Sequence, residues 1–204
     1  MAKRLSRKNL SDDPLQQFAL WYRQAVENVP GHRIEPHAMT LATCSKSGTP
    51  SIRTVLMKDF SDSGFIFFTN YSSRKAKQLA ENSRAALLFY WSYMGRQVRI
   101  EGTAEKLSAT ESDSYFYSRP RLSRIGAVAS PQSQPIESRR ELISRFRRIS
   151  SRFRGRRIER PSHWGGYIVI PRAIEFWQAG SHRLHDSFRY DKDGNVWRLS
   201  RLAP

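Results

Sequence analysis

The sequence predicts a mainly β fold with added helices, built as a small barrel of antiparallel strands. Three observations carry that expectation. Short runs rich in β-branched and aromatic residues recur from Met39 to Leu199. Turn signals such as Lys46-Ser47-Gly48, Asp62-Ser63-Gly64 and Asp193-Gly194 separate neighbouring runs tightly enough for hairpins. Strands and helices do not alternate regularly, as a doubly wound parallel sheet would require.

The elements follow in order. Residues 1–11 are polar and basic and read as a flexible N-terminal segment, ahead of a single domain over 12–204. Asp12-Asp13-Pro14 is a helix start, because an acid can cap free amides and proline fits the first turn. Leu15, Phe18, Tyr22, Ala25 and Val26 then recur at helical spacing, and Pro30-Gly31 ends the helix. Strands are expected over 39–44, 52–58 and 65–69, then a helix over 72–81 capped by Ser72 or Ser73. Two more strands (85–91 and 97–104) precede a helix over 110–118 that Pro120 stops. A strongly basic helix spans 138–153. Strands over 165–170 and 174–178 and a final hairpin (188–190 with 196–199) complete the chain.

Composition narrows the function classes. The 204 residues suffice for one domain with a sizeable core, and 12% aromatic content argues against disorder. Cys44 is the only cysteine, so an intramolecular disulfide and a four-cysteine zinc site are excluded, in keeping with a cytoplasmic protein. It lies in an apolar run and reads as a buried structural thiol. No apolar leader opens the chain, and the longest apolar run, 85–91, is too short to cross a bilayer, so no membrane association is expected.

The net charge of +17 attracts anions. Much of it lies in Arg139, Arg140, Arg145, Arg147, Arg148, Arg152, Arg154, Arg156, Arg157 and Arg160. This stretch reads as a solvated helix face plus a basic loop, with a nucleic-acid-binding arm as the alternative. Its aromatics are sparse and no nucleic-acid motif accompanies it, so no specific nucleic-acid partner is expected. A Gly-x-Gly-x-x-Gly fingerprint, a Gly-Lys-Ser/Thr phosphate loop and a Gly-x-Ser-x-Gly elbow are all missing from the sequence, which disfavours a nicotinamide dinucleotide fold and an acyl-transfer serine.

Three constellations could carry chemistry. Arg53 and Lys58 bracket a strand, and Arg74-Lys75 opens a helix whose dipole would prefer acids there. A bound phosphate would resolve that conflict; a solvated basic helix start is the alternative. Tyr115, Arg119 and Ser123 form a compact donor set for a second phosphate, or else a Tyr–Arg surface pair. Finally, Arg183 and His185, on an extended segment, would point to one side and could bind an anionic oxygen and manage a proton. The spacing of His182, His185 and Asp186 is not that of a zinc motif, so no metal is expected. Trp177 and the polar Gln97, Gln132 and Ser133 suit the rim of a planar heterocycle, though their spacing alone does not require one.

Taken together, these segments resemble the pyridoxine/pyridoxamine 5'-phosphate oxidase family. The resemblance rests on Arg53-Thr54-Val55-Leu56-Met57-Lys58, Phe68-Thr69-Asn70, Ser73-Arg74-Lys75-Ala76, Arg96-Gln97-Val98, the stretch from Tyr115 to Arg121, Gln132-Ser133, Trp164-Gly165-Gly166, Ile174-Glu175-Phe176-Trp177-Gln178, Arg183-Leu184-His185-Asp186 and the terminal Arg201-Leu202-Ala203-Pro204, in order over roughly residues 12–204. It implies a split β-barrel FMN-binding fold and a homodimer with FMN at the subunit interface. The implied reaction oxidises pyridoxine or pyridoxamine 5'-phosphate to pyridoxal 5'-phosphate, with hydride passing to flavin N5 and O2 reduced to H2O2. By resemblance, Arg53, Arg74 and Lys75 hold the FMN phosphate. The other cofactor contacts are Thr54, Val55, Leu56, Lys58, Phe68, Thr69, Gln97, Gln132, Ser133 and Trp177. Lys58, Tyr115, Arg119 and Ser123 hold the substrate phosphate, and Arg183 and His185 lie over the substrate ring as the catalytic pair.

Two departures qualify the resemblance. Ser187 stands where the family usually has an arginine that contacts the flavin, so a charge-assisted contact worth roughly 1.5–3 kcal/mol is missing. Arg189, on the same strand face, is the candidate substitute. The segment before Asp12 also lacks the Arg-x-x-Tyr element that covers the substrate in some members. The alternatives are a flavin- or pyridoxal-phosphate-binding relative with little turnover, and an oxidase of another heterocycle.

Overall fold

The computed structural model describes residues 4–31 and 34–204; residues 1–3 of the expected basic segment lie outside the described residues. Nine strands form one sheet in which every pairing is antiparallel: β1 (Ala38–Cys44), β2 (Pro50–Leu56), β3 (Asp59–Ser61), β4 (Gly64–Asn70), β5 (Arg84–Trp91), β6 (Arg96–Lys106), β7 (Trp164–Gln178), β8 (Asp186–Asp193) and β9 (Val196–Leu202). The order is β2-β1-β5-β6-β7-β4-β3, with β8 and β9 branching from β7. The five α-helices are α1 (Pro14–Glu27), α2 (Arg74–Glu81), α3 (Ala109–Ser118), α4 (Arg121–Ala129) and α5 (Arg139–Arg152).

Strand alternation closes the barrel. Met39 and Leu41 of β1, Leu87 and Phe89 of β5, Val98 and Ile100 of β6 and Phe65 and Phe67 of β4 all turn inward and are buried. Helix α1 packs against this interior. Its start is as expected, with Pro14 at the first position and Asp13 accepting from the Leu15 amide at 2.8 Å. Its inward face is Leu15, Phe18, Trp21 and Ala25, whereas Val26 is exposed. Phe18 is fully buried, with its ring 4.8–5.0 Å from Phe60, Phe65 and Phe89.

Strand β7 is the axis of the fold. The two strands expected over 165–170 and 174–178 are one continuous strand that runs through Pro171. Proline is tolerated because a bulge sits there: Glu101 pairs with Ala173 and Gly102 with Pro171, so Arg172 is the extra residue. Gly102 is required at this approach, since a Cβ would lie 2.1 Å from the Ile170 carbonyl oxygen. The first half of β7 pairs with β4 and the second half with β8, which splits the barrel.

Helices α3, α4 and α5 build a second, smaller core around Phe116, Ile125, Ile158 and Trp164. Helix α4 was not expected, because the chain resumes helix immediately after Pro120. The arginines of α5 face outward, while Phe146, Ile149 and Phe153 pack inward. Residues 4–11, read from composition as flexible, lie against the barrel: Leu5 is buried, Tyr190 donates to the Ser11 carbonyl at 2.5 Å and Arg4 pairs with Asp186 at 2.9 Å. Cys44, expected to be buried, is half-exposed at the end of β1. Among the described residues no helix is long and apolar enough to cross a membrane.

Candidate active site

Two adjoining cavities of about 550 and 540 Å³ share Leu56, Lys58, Phe68, Thr69 and Gln132 as a common wall. Strand β2 is an edge of the sheet, bonded only to β1, so both its faces and its free backbone edge reach the second cavity. That is why Arg53, Thr54, Val55 and Leu56 all line it despite strand alternation.

The second cavity is cationic. Arg53, Arg74 and Lys75 line it with Ser133, whose backbone adopts a left-handed φ of 65°. Lys75 opens α2 and is only 8% exposed. Its ammonium donates to Thr69 Oγ1 at 3.2 Å, Ser73 Oγ at 3.3 Å and Gln132 Oε1 at 3.2 Å, all uncharged. Burial, reinforced by the Arg53 charge, brings the Lys75 pKa down to about 8. Burial and Arg74 lower the Arg53 pKa as well. Among the described residues neither Arg53 nor Lys75 has a carboxylate partner, so three cations converge without compensation on a helix whose first turn carries no acid. Such a site is completed by an anion with several acceptor oxygens.

The first cavity has its own cation. Arg119 caps the C-terminus of α3 in extended conformation, and the turn at Pro120 places Ser123 in the first turn of α4. Tyr115, Arg119 and Ser123 therefore converge with Lys58, with Arg119 just beyond the last residue of α3. The guanidinium stacks 4.7 Å over the Trp164 ring, and its Nη1 is buried without a hydrogen-bond partner. Burial lowers the Arg119 pKa and raises that of Tyr115. Phe68 stacks on Tyr115 at 3.9 Å and on Trp164 at 5.5 Å, making an aromatic wall.

A third cluster lies elsewhere. Tyr90, Gln97, Trp177 and Ser187 occupy successive registered positions across β5, β6, β7 and β8, so their side chains share one face of the sheet. Tyr90, which sequence reasoning missed, is 62% exposed on that face. His185 packs on Trp177 with ring centroids 4.7 Å apart. The segment carrying Arg183 and His185 is not extended: Ser181–Arg183 is a 3-10 turn with left-handed φ values of 55° at His182 and 62° at Arg183. Two consecutive non-glycine residues in that region are strained, a feature concentrated at functional sites. His185 Nδ1 accepts from the Gly180 amide at 3.1 Å, so the neutral ring carries its proton on Nε2.

None of Gln97, Trp177, Arg183 and His185 lines either cavity. Thr69 pairs with Gly165 at one end of β7 and Gln97 with Trp177 at the other. The 12 residue steps from Gly165 to Trp177 correspond to a path of roughly 40 Å along the strand.

Ser187 is buried and donates to Glu175 Oε1 at 2.8 Å, and Arg99 pairs with the same carboxylate. Arg189, the candidate substitute, is engaged by carboxylates of this chain. Its guanidinium is held by Glu101 at 3.0–3.1 Å and by Asp191 at 2.8 Å, and these carboxylates raise its pKa further.

Fold and cavities thus define a split-barrel protein with two adjoining cavities lined by cations. Comparison with known proteins agrees. Residues 25–153 match the family described as pyridoxamine 5'-phosphate oxidase, and residues 164–204 match the pyridoxine 5'-phosphate oxidase C-terminal dimerisation region. Proteins named pyridoxine/pyridoxamine 5'-phosphate oxidase are similar over nearly the whole chain. That of Bordetella pertussis is 54% identical, covering 94% of this chain and 89% of its own; that of Rubrobacter xylanophilus is 49% identical, covering 98% and 91%. Among solved structures, PhzG from Burkholderia lata 383, in complex with tetrahydrophenazine-1-carboxylic acid, superposes with a TM-score of 0.90 at 32% identity over 98% of both chains. A pyridoxamine 5'-phosphate oxidase-related, FMN-binding protein from Nostoc punctiforme shares the fold, with a TM-score of 0.73 at 15% identity over 96% of this chain and 100% of its own. The chain belongs to the pyridoxamine 5'-phosphate oxidase family, a family of oxidoreductases.

Proposed function

We propose that this protein is an FMN-dependent oxidase that converts pyridoxine or pyridoxamine 5'-phosphate to pyridoxal 5'-phosphate as a homodimer. The observation that carries the reading is the pair of adjoining cavities on either side of one shared wall, each lined by cations that have no carboxylate partner among the described residues. Two phosphorylated ligands brought face to face fit that arrangement.

In this reading Arg53, Arg74 and Lys75 take the FMN phosphate. Thr54, Val55, Leu56, Lys58, Phe68, Thr69, Gln132 and Ser133 flank the rest of the cofactor from the same protomer. Arg119, Tyr115, Ser123 and Lys58 bind the substrate phosphate, with the free Nη1 of Arg119 as a ready donor. FMN, when bound, supplies the hydride acceptor at N5, and O2 restores it with release of H2O2. Gln97, Trp177, Arg183 and His185 come from the second subunit, because one chain holds them far from its own cavities. His185 then presents Nε2–H toward the substrate ring, and Arg183 holds an oxygen of that ring.

The match of residues 164–204 to the family's dimerisation region supports a dimer whose two sites are each composite. Exposed Ile52 (71%) and Tyr90 (62%) lie on the outward sheet face that such a partner would cover. A single unpaired thiol suits a cytoplasmic setting.

The resemblance to PhzG favours a second reading, oxidation of a fused heterocycle. The Arg119, Ser123 and Lys58 set argues instead for a phosphorylated substrate. The test is the visible spectrum of FMN-loaded protein on anaerobic addition of pyridoxine 5'-phosphate. Bleaching that reverses in air is expected; flavin bands unchanged by both B6 phosphates would overturn the reading.

A further inference from the structure

Behind the phosphate cations lies a buried hydrogen-bond relay. Gln78 is 6% exposed and Thr43 3%. Gln78 Oε1 accepts from Thr43 Oγ1 and from Ser51 Oγ, each at 2.6 Å. The same two hydroxyls meet one guanidinium: Arg53 Nη1 donates to Thr43 Oγ1 at 2.7 Å and to the Leu41 carbonyl at 3.1 Å, and Nη2 donates to Ser51 Oγ.

Chemistry fixes the direction of every bond. A guanidinium only donates, so both hydroxyl oxygens must accept from Arg53 and spend their single hydrogens elsewhere. Those hydrogens can end only on an acceptor, which sets the Gln78 amide with Oε1 toward them and Nε2 toward the Thr49 carbonyl at 3.4 Å. Three of the five Arg53 N–H groups are thereby used, leaving Nε–H and one Nη2–H for a ligand in the cavity that Arg53 lines. Gln78 also lies one turn beyond Arg74 and Lys75 on α2. One short helix therefore contributes two of the phosphate cations and locks the third, which stands on β2.

We infer that Gln78 is a positioning residue for anion recognition: through Thr43 and Ser51 it holds Arg53 in the orientation that grips a phosphate. The inference rests on the reading that this cavity takes the FMN phosphate. A neutral amide suits the task. A carboxylate at the same place would satisfy the hydroxyls but would neutralise the cations the ligand needs.

The test compares FMN with riboflavin, which lacks the phosphate, by fluorescence titration of apo-protein. Wild type should bind FMN far more tightly than riboflavin. Gln78→Leu should weaken FMN binding about tenfold, the scale of a lost hydrogen bond to a charged group, and leave riboflavin affinity unchanged. Ser51→Ala, which removes one arm and keeps the buried amide, should show a smaller loss of the same selective kind and serves if Gln78→Leu does not fold. Equal losses for both ligands, or no loss of FMN affinity, would overturn the role of Gln78. Wild type that binds both ligands equally would instead remove the phosphate reading beneath it, before any variant is compared.

Discussion

The Lys75 ammonium lies 3.2 Å from Gln132 Oε1, and its other two partners are hydroxyls. A buried lysine with three neutral acceptors is held at a cost that a nearby anion would relieve.

Affinity for FMN should depend on pH through Lys75. The free group titrates at about 8, and a phosphate beside it raises that value, so binding above pH 8 takes up a proton. The dissociation constant should be flat between about pH 7 and 8, above the second ionisation of the phosphate near 6, and then rise toward tenfold per pH unit. In Lys75→Met it should be weaker throughout and lack this rise. Titration by flavin fluorescence at several pH values is the check.

The same group makes a stability prediction of opposite sign for apo-protein. A folded pKa below the ordinary lysine value of 10.5 means that the unfolded chain binds more protons between pH 8 and 10.5. The penalty is complete below pH 8 and fades as pH rises through that window. Apo Lys75→Met should therefore melt above apo wild type at pH 7, with the gap closing toward pH 10. A constant gap in scanning fluorimetry would refute the assignment.

Removing Arg119 should separate substrate binding from cofactor binding. Arg119→Ala loses the cation that stacks on Trp164 beside Tyr115 and Ser123. KM for pyridoxine 5'-phosphate should rise at least roughly tenfold, as expected for a lost charged hydrogen bond, with flavin content unchanged.

Ser187→Arg should tighten FMN by about tenfold if the missing guanidinium matters. The new side chain would enter beside Glu175, which Ser187 and Arg99 now share. Unchanged affinity would mean that this chain has dispensed with the contact.

Composite sites predict complementation. Arg119→Ala and His185→Ala damage opposite halves of the site, so each homodimer should be strongly impaired when assayed at substrate concentrations well below the raised KM. Co-expressed, they should recover about a quarter of wild-type activity, since half the dimers are mixed and each of those has one intact site. No recovery would place both halves of a site within one protomer.

The fold was largely legible because strand alternation and turn chemistry act locally. Met39, Leu41, Leu87 and Phe89 point inward as their spacing requires. What escaped depended on distant partners. Pro171 reads as a strand breaker until Gly102 on another strand supplies the bulge that accommodates it. Helix α4 was hidden because Pro120 ends one helix and caps the next. The grouping of Arg53 with Lys75 was anticipated through the family resemblance, and that of Arg119 with Ser123 was allowed by residue type and supported by the same resemblance. The separation of these sets from Trp177 and His185 could not be, because it is a property of β7 as a whole. The role of Gln78 was invisible, since glutamine on an amphipathic helix gives no signal until its neighbours are known.

Strand β7 has a final consequence. With the cavities at its Gly165 end and the Trp177 row at the other, a solitary protomer of the proposed oxidase carries two half-instruments that cannot play together. Turnover would then obey mass action in the protein itself. On dilution below the dissociation constant, specific activity should fall in proportion to protomer concentration, because dimer concentration follows its square. Catalysis would be a property of the encounter between copies, and the quantity of enzyme in a cell would set how much of it is enzyme at all.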